Sequence, residues 1–261
     1  MIKINDEIVN INKFPDGTLF LKENNNRPIG GSIIRWHFEN NEELFALICL
    51  TKHLRAHGVK HICLEMPFIP NSRMDRTKRP EDVFTLKYFA DIINYLQFDD
   101  VLVLDPHSHV SEALINNISM ANPKIYIDRA IEGCTPDMLF FPDDGSVKRL
   151  SDMFNTEYAF GIKKRNWETG KIEGLEVAGC IDKINGGDVL IVDDICSRGG
   201  TFYHSAKKLK ELGANKIYLY VTHCENTILE GDLLNSDLIE RVFTTNSIFT
   251  KSHEKIEVFE L

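Results

Sequence analysis

One stretch constrains the fold more than any other: Val189-Leu190-Ile191-Val192, then Asp193-Asp194-Ile195-Cys196-Ser197-Arg198, then Gly199-Gly200-Thr201. The four aliphatic residues read as a short apolar strand. The strand delivers two carboxylates, the glycines make a tight turn, and the residues that follow carry a helical pattern to about Leu212. The turn and the helix start offer unpaired backbone N–H groups to a phosphate. Gly199 and Gly200 allow close backbone approach, Ser197 and Thr201 add hydroxyls, and Asp193 and Asp194 can hold ribose hydroxyls directly or through a metal. The plainer alternative is an acidic loop that only caps a helix. It leaves unexplained why an acid pair and a glycine loop meet at one strand-to-helix junction.

The rest of the chain repeats this step. Val9 to Phe14 and Leu19 to Leu21 flank Pro15-Asp16-Gly17, a turn in which proline presets φ and glycine accepts positive φ. Leu44, Phe45, Ile48 and Leu54 recur at helical spacing up to Gly58. His61 to Met66 is a strand, Asn71 to Asp82 a polar loop, Phe84 to Leu96 a helix, and Val101 to Leu104 a strand. Met138 to Phe141 is a strand, Ser146 to Phe154 a helix, Tyr158 to Ile162 a strand ending at Lys163-Lys164-Arg165, and Lys216 to Val221 another strand. Strands alternating with helices predict an α/β protein with mainly parallel sheets flanked by helices. The doubled rhythm predicts two similar domains, 1–125 and 126–261, with Ala121-Asn122-Pro123 between the patterns.

Ligands of parallel α/β sheets bind at the carboxyl ends of the strands. Four predicted strand ends carry charge: Asp105/His107, Asp143/Asp144, Lys163/Lys164/Arg165 and Asp193/Asp194. Together they predict a site for phosphate, sugar and metal. Arg73 and Arg76, with Lys78 and Arg79, can neutralise a triphosphate, although such a run alone is more often a solvated loop. Asp105 and His107 can organise Mg²⁺-ATP, because magnesium prefers oxygen ligands and keeps waters. His109 is as well explained by packing, and Phe14 by the core. With 30 basic and 39 acidic residues the net charge is −9, which disfavours general nucleic-acid binding. The six cysteines form no CxxC pair and read as buried reduced thiols. The first residues do not form a leader, and no apolar run reaches spanning length, so the expected location is the cytoplasm, with no membrane partner.

The glycine loop resembles the sugar-phosphate loop of type I phosphoribosyltransferases and of ribose-phosphate diphosphokinases, the phosphoribosylpyrophosphate (PRPP) synthetases. Further segments resemble the diphosphokinases, in that family's order. They are Lys13-Phe14-Pro15-Asp16-Gly17, Pro67-Phe68-Ile69-Pro70-Asn71-Ser72-Arg73-Met74-Asp75-Arg76, Leu104-Asp105-Pro106-His107-Ser108, Phe141-Pro142-Asp143-Asp144-Gly145 and Ile162-Lys163-Lys164-Arg165. The resemblance spans nearly the whole chain and implies two phosphoribosyltransferase-like domains. It implies catalytic roles for Lys163 and Arg165, and ATP contacts at Phe14, Asp16, Arg73, Asp75, Arg76 and His107. Metal contacts are implied at Asp105, His107 and Asp143, and sugar-phosphate contacts at Asp193, Asp194, Ser197, Arg198, Gly199, Gly200 and Thr201. The cofactor implied is Mg²⁺, and Phe14 and Asp16 imply a homo-oligomer in which they complete a neighbour's ATP site.

The sequence also departs from the family. Ser197 and Arg198 stand where an acid and a threonine are usual, Met74 replaces a glutamine, and Thr18 replaces an acid. The expected reaction is transfer of pyrophosphate from Mg²⁺-ATP to the anomeric hydroxyl of ribose 5-phosphate, giving PRPP and AMP. Three alternatives stay open: the same transfer to ADP-ribose in NAD metabolism, a catalytically silent regulatory homologue, and a nucleobase phosphoribosyltransferase.

Overall fold

The computed structural model describes residues 1–23, 31–165 and 172–261, with side chains for all of these except 163–165, 172 and 173. The chain divides into two compact units, Met1–Asn122 and Pro123–Leu261.

The first unit runs β1 (Ile2–Ile4), β2 (Glu7–Ile8), β3 (Asn10–Lys13), β4 (Leu19–Lys22), β5 (Ser32–Trp36), α1 (Glu42–Ala56), β6 (Ile62–Glu65), α2 (Thr85–Tyr95), β7 (Asp100–Leu104), α3 (Val110–Leu114) and β8 (Ile118–Ala121). Its sheet has the order β2-β1-β5-β6-β7-β8. Strands β5 to β8 are parallel, and β1 is antiparallel to both neighbours. The predicted hairpin is the separate pair β3–β4. Helix α1 buries Ala46, Leu47, Leu50 and Leu54, and α2 buries Leu86, Phe89, Ala90 and Ile93. In α2 these are the i, i+3, i+4, i+7 positions, and in α1 Leu47, Leu50 and Leu54 the i, i+3, i+7 positions, that give a helix one apolar stripe. Each fully buried leucine contributes roughly 2 kcal/mol. A polar contact lies inside this core: the Trp36 indole donates to Glu43 at 2.9 Å, and Glu43 is 4% exposed.

The second unit runs α4 (Lys124–Cys134), β9 (Met138–Phe141), α5 (Asp144–Leu150), β10 (Tyr158–Arg165), β11 (Ile172–Gly179), β12 (Val189–Cys196), α6 (Gly200–Glu211), β13 (Ile217–Cys224), α7 (Asp232–Asn235), β14 (Arg241–Thr245) and β15 (Ile256–Phe259). The sheet order is β11-β10-β9-β12-β13-β14-β15, parallel throughout except for β11. Val189 and Ile191 pack into one apolar cluster, Leu190 and Val192 into another. The unbroken apolar run of β12 thus feeds a core on each face of the sheet, the pattern of a central parallel strand.

Three boundaries differ from the sequence reading. Strand β12 does not stop at the acid pair but stays paired with β13 as far as Cys196↔Cys224. Strand β10 likewise runs on through Lys163 to Arg165, because β11 pairs with it antiparallel. Helix α5 ends at Leu150 and tightens into a 3₁₀ turn over Ser151–Met153. The cysteines are all free, but only Cys134, Cys196 and Cys224 are buried; Cys49, Cys63 and Cys180 are partly exposed. Burial pushes the Cys134 thiol up to about 12. Among the described residues no helix is long and apolar enough to cross a membrane.

Candidate active site

In the first unit, adjacent parallel strands β6 and β7 end in the two segments that carry chemistry. Pro67 accepts from the Leu104 N–H at 3.0 Å, which ties the start of one loop to the end of the other strand. Ile69 and Ser72 anchor the 67–76 loop inward, at 2% and 3% exposure. Arg73, Met74 and Arg76 are exposed. Asp75 points inward at 5% exposure. The Arg76 guanidinium donates to both of its oxygens, at 2.8 and 3.0 Å. That fork holds the Asp75 carboxyl below the usual carboxylate range against the opposing effect of burial, with His107 adding a favourable field. The Ser108 hydroxyl lies beside it without a well-formed bond. Asp75 therefore links the arginine loop to the Asp105–His107 segment.

Asp105 is 5% exposed and sits at φ +41°, a left-handed conformation for a residue followed by proline. Such conformations are costly for non-glycine residues and collect at functional sites. Further along the cationic run, the backbone N–H groups of Lys78 and Arg79 both donate to Asp82 at 2.9 Å, so this part of the loop is a closed turn. Phe14 is 50% exposed and contacts Phe20, with ring centroids 5.2 Å apart. It is not a core residue. Asp16 holds its turn by accepting from the Thr18 N–H at 2.9 Å and the Thr18 hydroxyl at 2.7 Å. Lys13 and Glu42 pair at 2.6 Å, between the hairpin and the start of α1.

In the second unit, β9 and β12 are neighbours; Asp143 follows β9, and β12 carries Asp193 and Asp194 near its end. Asp143 is the N-cap of α5: its Oδ1 accepts from the N–H groups of Gly145 (3.0 Å) and Ser146 (3.2 Å) in a capping box. Seven residues of α5 then place Arg149 over the acid pair. A single Arg149 nitrogen, Nη2, lies 3.1 Å from Asp193 Oδ1 and 3.1 Å from Asp194 Oδ1. The three side chains are 15%, 13% and 4% exposed. Burial first, then the charge of Asp194, pushes the Asp193 carboxyl well above its usual range; Arg149 pulls it back, and Asp143 adds to the repulsion.

The loop after β12 turns at Gly199, which has φ +78° and precedes α6. A side chain there would meet Leu233 at 2.9 Å as well as an unfavourable backbone conformation. The chain also presses on Gly231, where a Cβ would stand 1.9 Å from the Arg198 carbonyl oxygen. Gly200, by contrast, faces open space. Ser197 is half-buried, Arg198 and Thr201 are exposed, and Arg198 pairs with Glu230 at 3.1 Å. Asp193, Asp194 and the 197–201 loop thus share one strand-to-helix junction. The side chains of Lys163 and Arg165 lie outside the described residues; their backbone forms the last residues of β10. Arg149 was not expected from sequence. Its only signal was a basic residue in the last turn of the helix that follows Asp143.

A metal fits this donor set best with its substrate. Among the described residues no three His, Cys, Asp or Glu side chains gather into a preformed metal cage. Magnesium is bound through one or two carboxylates together with substrate phosphates and waters, and Asp105, beside His107, supplies such a carboxylate.

Comparison with known proteins agrees with this layout. A family described as the phosphoribosyl synthetase-associated domain matches residues 174–259. The ribose-phosphate pyrophosphokinase of Pyrococcus abyssi is 28% identical over 254 residues, covering 93% of this chain and 85% of that protein. The enzyme of the same name from Bradyrhizobium diazoefficiens is 28% identical over 258 residues, covering 94% and 79%. The crystal structure of phosphoribosylpyrophosphate synthetase from Mycobacterium smegmatis superposes with a TM-score of 0.81 over 97% of this chain and 86% of that one, at 18% identity, a likeness of fold. With a similar two-sheet architecture, and sequence similarity running through both units, this chain resembles the PRPP synthetases in sequence and in fold.

Proposed function

We propose that this chain transfers the pyrophosphoryl group of Mg²⁺-ATP to the anomeric hydroxyl of ribose 5-phosphate, releasing AMP and forming PRPP. The observation that carries this reading is the end of β12, where a largely buried acid pair is followed within a few residues by a left-handed glycine at the start of α6. Two carboxylates accept from vicinal hydroxyls, and the loop N–H groups and helix start accept a phosphate. Asp193 and Asp194 orient the ribose; Ser197, Arg198, Gly199, Gly200 and Thr201 hold its phosphate. Arg73 and Arg76 bind the triphosphate, with Asp75 setting the direction of Arg76. Asp105 and His107 would hold Mg²⁺, which when bound supplies charge neutralisation on the polyphosphate. Asp143, engaged in capping α5, shapes the same edge of the sheet.

The anomeric oxygen forms a bond to the β-phosphorus as the bond to the α,β-bridging oxygen breaks. The hydroxyl proton goes to solvent and AMP leaves. Lys163 and Arg165 neutralise the charge that develops on the transferring group. A dissociative transition state needs positioning and electrostatics more than a strong base. Exposed Phe14, with Asp16, serves a neighbouring copy's adenine site, so the working form is an oligomer.

A second reading keeps the chemistry and changes the acceptor. Arg198 is 73% exposed and turned onto Glu230, which leaves a cation at the loop for a second phosphate such as that of ADP-ribose. The deciding experiment is AMP-forming turnover of Mg²⁺-ATP with ribose 5-phosphate and, separately, with ADP-ribose, the products identified by mass. Turnover with ribose 5-phosphate supports the first reading, and turnover with ADP-ribose alone supports the second. Inactivity with both would overturn pyrophosphoryl transfer and favour a silent regulatory member.

A further inference from the structure

Arg149 belongs to none of the segments that carry the family resemblance, yet it joins two carboxylates in a largely buried polar junction. One nitrogen bridges an oxygen of each carboxylate at 3.1 Å, and all three side chains are at most 15% exposed. Two adjacent carboxylates in so dry a setting repel each other, and neither holds its position unless a cation lies between them. The Asp194 N–H donates to Asp193 Oδ1 at 3.0 Å, which fixes one oxygen of the pair from the backbone. Arg149 fixes the pair from the side-chain direction. Its own mounting is rigid: α5 begins at a capping box on Asp143, directly after β9, the strand beside β12.

We infer that Arg149 is a positioning residue that holds Asp193 and Asp194 at the spacing needed to accept the hydroxyls of a furanose, without itself touching the sugar. This rests on the sugar-binding role proposed above for the acid pair. Two hydroxyls on adjacent ring carbons require two acceptors at one separation, and a guanidinium nitrogen bonded to both acceptors sets it. The bridging contact uses one nitrogen and not the two-pronged fork, so a lysine at this position can retain part of the function.

The test uses the full chain and the variants Arg149→Gln, Arg149→Lys and Asp193→Asn/Asp194→Asn, the last with and without Arg149→Gln. With whichever acceptor the wild type uses, Arg149→Gln is expected to raise the acceptor KM by about 10²-fold, the cost of a small misplacement of binding groups. The KM for ATP stays unchanged, and Arg149→Lys recovers most of the loss. In thermal melting, Arg149→Gln lowers the midpoint in the wild-type background and loses that effect once both aspartates are amides. An acceptor KM left unchanged by Arg149→Gln would overturn the proposal, as would a melting loss that persists in the diamide background. Should the wild type turn over neither acceptor, the functional reading fails. The melting comparison, which needs no acceptor, still decides whether Arg149 holds the pair.

Discussion

The two units use their sheet edges in opposite ways. In the first, the cations lie on an exposed loop, with Arg76 69% exposed, while its partner Asp75 and the neighbouring Asp105 are drawn inward. In the second, the acid pair lies largely out of solvent, gripped by a half-buried arginine. An exposed guanidinium in high dielectric attracts a polyphosphate over some distance but holds it loosely, and salt weakens it. A buried carboxylate pair has no such reach, yet its fixed position discriminates between hydroxyl geometries. Under the proposed function, one α/β architecture supplies a capturing edge and a reading edge, and the difference lies in burial.

Removing the reading edge has the largest expected effect. Asp193→Asn/Asp194→Asn keeps the shape of both side chains and removes both charges. The expected loss in kcat/KM for the acceptor is about 10³-fold, on the scale of deleting preorganised electrostatic contacts, measured by steady-state AMP formation. Undiminished activity would mean that the pair is only structural and that the contrast between the edges is superficial.

The next effect concerns the loop between the acids and α6. Gly199→Val places a branched side chain at φ +78° and against Leu233. Left-handed strain and overpacking together cost roughly 3 kcal/mol, to be read as a lowered melting temperature. Gly200→Ala meets nothing within 4 Å. It should leave the melting temperature intact while weakening phosphate binding, because its new methyl lies where the phosphate approaches. If both variants behaved alike, the loop would have a single role instead of separate folding and binding positions.

Much of this contrast was legible in the chain, for identifiable reasons. The acid pair, the glycines and the alternation of strand and helix are local signals, and each survives in the structure at its place. What escaped depends on contacts between distant residues. Arg149 meets Asp193 across 44 residues, and a lysine- and arginine-bearing helix end gives no hint of that. Strand β11 carries Glu173 and Glu176 and the glycines Gly174 and Gly179, so no apolar run marks it. It nevertheless extends β10 past the expected stop. In the first unit a run of cations reads as uniformly solvated, but Asp75 within it is buried, because Arg76 neutralises it where it stands. Phe14 could not be assigned from its own sequence; the turn at Asp16 leaves it half in solvent.

The capturing edge should respond more gently. Arg73→Ala and Arg76→Ala are each expected to raise the KM for ATP about tenfold, near the worth of one charge-assisted hydrogen bond, with the acceptor KM unchanged. The wild-type ATP KM should itself rise with added salt, and the acceptor KM should respond less. Equal salt sensitivity for both substrates would erase the proposed division. Arg76→Ala carries an added cost, since it leaves Asp75 buried without its partner.

The mildest test is acid, because it titrates both edges in one sample and they differ in sign. The Asp193 carboxyl lies well above the usual range, raised by burial and by Asp194. An acid raised in the folded state takes up its proton there before the unfolded chain does. As pH falls from the raised value into the ordinary carboxylate range, the native state is therefore stabilised by this group while its hydroxyl-accepting anion is lost. Asp75 behaves oppositely. Its pKa is lowered, first by Arg76, so its contribution to stability is in place above the ordinary carboxylate range and disappears only as pH falls through the lowered value. Mild acidification should accordingly raise the acceptor KM while the melting temperature holds and the KM for ATP changes little. Arg149→Gln, which removes a cation that pulls Asp193 down, should shift that loss of acceptor affinity to higher pH. A parallel fall of activity and melting temperature would mean that acid unfolds the chain before it discharges the pair, and the reading edge would not be separable from the fold that carries it.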